Sequence, residues 1–343
     1  MLKNIWLYSL RCYLKVGLFF YFKEVKVVGK AQVPTKESLL VLGNHQSALI
    51  DPLLLAVTFK QYAYYLTRAG VFQKKWVRAI LNSVNMLPVY RIRDGWSNIS
   101  NNNPVFEACT TLLNKKQTIV IFPEGSHSLA RTVRPLSKGF TRIILDTLER
   151  HPDTDLYIQS VGFNYQEAAS FPDSASIYFG KPIRVKPLLT SDVFENTALL
   201  KDLIQNELQQ LTTHVPSGNY EETILTLEEL KTDYLHPQEV NACVESQFKR
   251  CGKPKKDVSL LSKLLKPLVY LNLCLPILFW RYLVKSKIKE PEFVATFRYA
   301  VSMVLIPLWL LGIGCLVFLF FGTNLALAYI TISVLLMLGY VKA

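Results

Sequence analysis

From Tyr299 to Phe321 the chain carries no charged residue, and Leu325 to Val341 repeats the pattern after the turn-like Gly322-Thr323-Asn324. A helix needs about 20 apolar residues to cross the hydrocarbon core of a bilayer, and its backbone amides must be paired within the segment. The two runs therefore predict a helical hairpin through a membrane, with spans at about 299–321 and 325–341. Whatever else the chain builds has to fold beside that surface.

A third apolar run, Pro267 to Trp280, stops at Arg281 and has basic residues on both sides. It predicts a re-entrant or interfacial helix over 267–284 rather than a third span. In residues 1–24 the polar positions Asn4, Tyr8, Arg11 and Lys15 fall near a 3.6-residue period and leave a wide apolar face. That pattern fits an interfacial membrane helix, and no small-residue cleavage site marks a signal peptide. The net charge of +13 admits either nucleic acid or an anionic membrane as partner. Its placement favours the membrane. Lys3, Arg11 and Lys15 lie in the first helix, and Lys249, Arg250, Lys253, Lys255, Lys256, Lys263 and Lys266 precede the third-last apolar run. No zinc-finger, homeodomain or RNA-binding signature supports nucleic acid. Arg298 and Lys342, at the outer ends of the hairpin, are expected on the cytosolic face with the rest of the chain. Six scattered cysteines show no disulfide framework, so each is expected to be a small buried hydrophobe on a reducing side.

Between about 25 and 190, short β-rich runs alternate with amphipathic segments. Strands are expected at 38–43, 62–67, 86–90, 118–122, 155–163 and 174–180, and helices at 47–59, 73–83, 104–115 and 138–150. This predicts an α/β domain, a mainly parallel sheet flanked by helices. A polar loop is expected at 94–103. Residues 191–256 form a helical connector with a helix near 196–213, and 257–343 make up the C-terminal membrane region.

Two peptides carry the chemistry. Gly43-Asn44-His45-Gln46-Ser47-Ala48-Leu49-Ile50-Asp51 follows the run Ser38 to Leu42, and Phe122-Pro123-Glu124-Gly125-Ser126-His127-Ser128 follows the next such run but two. Both leave strands, so both can converge outside the carboxyl ends of a parallel sheet. A histidine there can take a proton from a hydroxyl near neutral pH, and a nearby carboxylate can fix its tautomer. Neither Ser126 nor Ser128 lies in a G-x-S-x-G elbow, so Ser47, Ser126 and Ser128 are expected to cap helices and bond loops. His151, His214 and His236 lie in polar stretches and are expected at the surface. No cluster has metal-ligand spacing, and no metal or cofactor is expected.

With Val89-Tyr90-Arg91 and Lys138-Gly139, these peptides form an ordered set that resembles the glycerolipid acyltransferase family, best known from the 1-acyl-glycerol-3-phosphate (PlsC-type) enzymes. The resemblance covers residues 25–190 and implies a membrane O-acyltransferase. The co-substrate would be acyl-CoA or acyl-acyl carrier protein, and the acceptor a lysolipid, foremost lysophosphatidic acid. It implies His45 as the general base, Asp51 as its partner, and Arg91, Glu124, Gly125, Ser126, His127 and Lys138 as substrate-binding. Departures from the family pattern are visible. Five residues rather than four separate His45 from Asp51, and Ser126-His127 stand where threonine and arginine are usual. Arg131, Arg134 or Lys138 could supply the missing cation. The fourth block is represented only by Val161-Gly162-Phe163-Asn164-Tyr165. Glycerol 3-phosphate or a lyso-amino lipid are alternative acceptors, and a non-catalytic lipid-binding membrane protein is the alternative of another class.

Overall fold

A computed structural model describes residues 2–91, 100–255 and 259–343. Its centre is the strand built from Leu39-Leu40-Val41-Leu42, all four at zero exposure. An unbroken apolar run belongs in the middle of a parallel sheet covered on both faces, and that is where it lies. The elements follow in the order α1 (Leu2–Tyr21), β1 (Phe22–Val28), β2 (Ser38–Gly43), α2 (Ile50–Thr58), β3 (Ala63–Arg68), α3 (Lys75–Ser83), β4 (Met86–Val89), α4 (Asn103–Asn114) and β5 (Thr118–Ile121). Next come α5 (Gly139–Arg150), β6 (Leu156–Tyr165), β7 (Asp173–Phe179), β8 (Ile183–Arg184) and α6 (Val193–Leu211). The sheet order is β1-β7-β6-β2-β5-β3-β4, with β8 also on β6. β2 runs parallel to both β5 and β6, and only the pairings of β6 with β7 and β8 are antiparallel.

Alternate β2 side chains serve opposite faces, as the two-residue period of a strand requires. Leu39 and Val41 pack with α1, α2 and Ala295 and Tyr299 at the start of the first long C-terminal helix. Leu40 and Leu42 pack with α4, α5 and α6, the last through Leu200, Ile204 and Leu208. The helices α7 (Tyr220–Glu229) and α8 (Pro237–Glu245) follow, with a small cluster of their own around Leu227, Val240 and Cys243.

The C-terminal region holds α9 (Leu260–Asn272), α10 (Cys274–Leu278), α11 (Val294–Phe321) and α12 (Thr323–Lys342). α11 and α12 are long and apolar enough to cross a membrane and are joined at Gly322, as expected. The chain bends by 92° between Leu260–Asn272 and Cys274–Lys287, the geometry of a re-entrant loop or broken span. Carbonyls freed at such a bend need partners in an apolar setting. Asn272 has them: its carbonyl accepts from Trp309 Nε1 at 2.9 Å, and its Oδ1 accepts from Tyr329 OH at 3.0 Å.

Several expectations are corrected. β1 was not foreseen, because it continues α1 without a linker. The third apolar segment begins at Leu260 rather than 267, since Ser259 caps the helix by accepting from Ser262 N and Pro267 lies inside it. Cys243 and Cys251 form a disulfide, and Cys12, Cys274 and Cys315 are exposed, so only Cys109 is the isolated buried thiol expected of all six. A separation of eight residues with Cα atoms 4.3 Å apart leaves no recognisable spacing in the sequence. The expected 94–103 loop falls largely outside the described residues.

Candidate active site

β2 and β5 are parallel neighbours, so the peptides that leave their carboxyl ends meet above the sheet. Asn44 pins the exit of β2 by two bonds to the Phe163 backbone on β6, accepting from its N–H at 2.7 Å and donating to its carbonyl at 3.0 Å. The next residue is His45. Its ring stacks on Phe122, with centroids 4.2 Å apart and 17° between planes. Its carbonyl accepts from Ser128 N at 3.0 Å.

Asp51 sits at the first turn of α2 and has no exposed surface. Its carboxylate oxygens meet donors. Oδ2 lies 2.8 Å from His45 Nδ1 and accepts from Ser47 N at 2.9 Å, while Oδ1 accepts from Tyr165 OH at 2.5 Å. An ionised carboxylate can only accept, so the Nδ1 that faces it carries the proton and Nε2 is left with the lone pair. His45 keeps 15% of its side chain exposed. The residue that lengthens the His45–Asp51 gap is taken up in the turn at 46–49, before α2 begins at Ile50 rather than at 47.

The β5 peptide forms the opposite wall. Glu124 is almost fully buried and paired to Arg134 Nε at 2.6 Å. Burial raises its pKa, while Arg134 and the His45 backbone N–H oppose the rise. Gly125 has φ +71° with nothing within 4 Å of a Cβ, so left-handed backbone rather than space calls for glycine there. Its carbonyl accepts from Arg91 Nη1 at 2.9 Å. Arg134 Nη1 donates to Ser126 Oγ at 2.5 Å, and Nη2 donates to the Ser126 carbonyl. Two guanidinium groups thus hold one loop.

Of the three cations considered as replacements for the missing arginine, Arg134 is the one bonded to this loop. Arg131 is half-buried, donates to the carbonyls of Tyr165 and Gln166, and lies 3.4 Å above the Tyr234 ring. Lys138 is exposed at the N-terminus of α5, and among the described residues its side chain shares no hydrogen bond with the His45 group. His127 is at the site, its ring edge-on to His45 at 5.7 Å and to Phe293 at 4.5 Å, with Nε2 3.3 Å from Glu290 Oε2. Burial lowers its pKa, and Glu290 works against that. His151, His214 and His236 are half-buried rather than at the surface; His214 Nδ1 accepts from Val133 N at 3.0 Å.

Tyr165, Glu290 and Phe293 escaped the sequence reading. Tyr165 stands in the weak fourth block, and the other two precede α11, far from any motif.

The Acyltransferase family model matches residues 24–164, the stretch that holds β1 to β6 and both histidine peptides. Over that stretch the chain is similar to PlsC-type glycerolipid acyltransferases. It is similar to a 1-acyl-sn-glycerol-3-phosphate acyltransferase of Borreliella burgdorferi, 23% identical over 216 residues that cover 59% of this chain and 78% of that protein. A Bacillus subtilis protein of the same name is 28% identical over 35% of this chain and 55% of its own length. The glycerol-3-phosphate O-acyltransferase 1 of Saccharomyces cerevisiae is 26% identical over 34% of this chain, which spans only 16% of that protein. The crystal structure of the lysophosphatidic acid acyltransferase PlsC from Thermotoga maritima aligns with a TM-score of 0.43 at 16% identity, covering 61% of this chain and 80% of that one.

Proposed function

We propose that this acyltransferase moves a fatty acyl group from an acyl thioester to the free hydroxyl of a lysolipid, lysophosphatidic acid being the acceptor that fits best. The observation that carries the reading is the His45–Asp51 pair, with Nδ1 held by a buried carboxylate and Nε2 left to act as a base. The acceptor hydroxyl gives its proton to Nε2 as its oxygen attacks the thioester carbonyl. A C–O bond forms, the C–S bond breaks, and the thiolate leaves with the proton from the imidazolium. Asp51 stabilises that imidazolium, and no acyl-enzyme is required. A positioned base of this kind contributes about two to four orders of magnitude in rate. Arg91 and Arg134, both already bonded to the Gly125-Ser126 loop, supply planar donors for an acceptor phosphate.

The donor is acyl-CoA or acyl-acyl carrier protein. Arg298 and Lys342 support a cytosolic position for the α/β part, because basic flanks favour that side of a membrane. The Cys243–Cys251 disulfide weighs the other way, since such bonds persist in oxidising compartments. A second acceptor class is favoured by one contact: Glu290 puts a carboxylate against His127, which suits an ammonium-bearing lysolipid.

The test is full-length protein in lipid nanodiscs, given either thioester donor and lysophosphatidic acid, glycerol 3-phosphate or a lyso-amino lipid. The highest kcat/KM is expected for lysophosphatidic acid. A preference for the amino lipid would replace that acceptor, and no transfer to any of them would leave a lipid-binding protein.

A further inference from the structure

Among the described residues, a stripe of apolar side chains on α3 is left uncovered, although the helix lies at the edge of a well-packed sheet. No residue of α3 is buried. Trp76 and Ile80 are one helical turn apart on the same face and are 64% and 53% exposed, and Val71 just upstream is 45% exposed. The next position of that face is Ser83, whose Oγ accepts from Trp6 Nε1 of α1 at 3.2 Å. The stripe therefore continues into α1, where Trp6, Tyr13, Val16 and Phe19 are also exposed.

α1 in turn is tied to the hairpin. Tyr13 OH donates to the Met303 carbonyl, and Tyr299 OH donates to the Leu14 carbonyl at 3.0 Å, both at the domain end of α11. A helix of 20 residues is about 30 Å long, so α1 carries the level at which α11 leaves the domain out towards the far edge of the sheet. α3 lies at that edge, beside β4.

Charge says what covers the stripe. Between residues 52 and 91 there is no aspartate or glutamate, while Lys74, Lys75 and Arg78 are exposed around Trp76. Residues 1–23 likewise hold Lys3, Arg11 and Lys15 and no acid. An exposed tryptophan among lysines on an amphipathic helix is the chemistry of a bilayer interface with anionic headgroups.

We propose that α3 is a membrane-docking face of its own, with Val71, Trp76 and Ile80 inserted among lipid headgroups and Lys74, Lys75 and Arg78 against their phosphates. The catalytic domain then rests on the bilayer at two separated places, the hairpin and α3. The anchored domain cannot tilt about the hairpin.

The test replaces Trp76 with photoreactive p-benzoylphenylalanine in full-length protein, one chain per nanodisc, in phosphatidylcholine alone or mixed with phosphatidylglycerol. Glu107 on α4, on the other side of the sheet, is the reference position. Phospholipid adducts are expected at position 76 and not at 107. In mixed discs Lys74→Glu with Lys75→Glu should lower the adduct yield about tenfold or more, with the thermal transition of the parent retained. Adducts to a second chain when several are loaded per disc, with none to lipid, would show an interface between copies and overturn the proposal. So would no adduct at all, or a yield indifferent to lipid charge and to the lysine substitutions.

Discussion

Asp51 receives its donors from three directions, and the one from β6 lies 114 residues away from it in sequence. Each such charge-assisted bond stabilises a buried carboxylate by about 1.5–3 kcal/mol. Tyr165→Phe removes one of them without altering the shape of the core. With that bond gone the carboxylate holds the His45 ring less firmly, so kcat should fall about tenfold or more while KM for the acceptor changes little. An unchanged kcat would reduce Tyr165 to packing. Asp173, whose Oδ2 has no hydrogen-bond partner, has its pKa pushed up by burial to about 7. Unfolded, an aspartate titrates near 3.9, so between about pH 4 and 7 the native state holds the extra proton and stability falls as pH rises. The melting temperature of Asp173→Asn should equal that of the parent near pH 4 and exceed it by a growing margin up to pH 7, then by a constant one. At this scale His45, Asp51 and Glu124 were legible because each lies in a short local motif. Tyr165 was not, since only the sheet register brings it to Asp51.

The elements that carry the site were the most legible part of the chain. β2 and β5 are unbroken apolar runs, and the turns after them hold the polar residues that a strand excludes. α6 seats its C-terminal end against β6 at Gly162, where a Cβ would run into the Leu211 carbonyl. Gly162→Ala should therefore cost about 1–3 kcal/mol, read as a lower melting temperature, because backbone rather than a flexible side chain has to yield. Unchanged stability would mean that α6 is free to shift. β1 and the start of α9 were not legible, for opposite reasons. α1 passes into β1 between adjacent aromatics without a breaking residue, and the apolar periodicity of α9 is diluted by lysines before Pro267.

Across the whole molecule, the catalytic part and the hairpin are held together by long-range polar contacts. Arg298 donates to Tyr21 OH and to the carbonyls of Ala169 and Ser170, and Lys342 Nζ donates to the Phe22 carbonyl at 2.7 Å. Leu49 N donates to Thr296 Oγ1 at 2.9 Å, so the turn between His45 and Asp51 is braced by α11 itself. The long apolar helices could be read from hydropathy, but their docking on the turn between His45 and Asp51 could not, because it depends on single polar side chains. His45 is proposed as the base of a lipid acyl transfer. That role is tested most directly by transfer from acyl-CoA to lysophosphatidic acid, measured on parent and His45→Ala protein in the same nanodiscs. Turnover is expected of the parent, and a loss of about two to four orders of magnitude in kcat of the variant, with the melting temperature kept. Equal turnover by the two proteins would contradict that role.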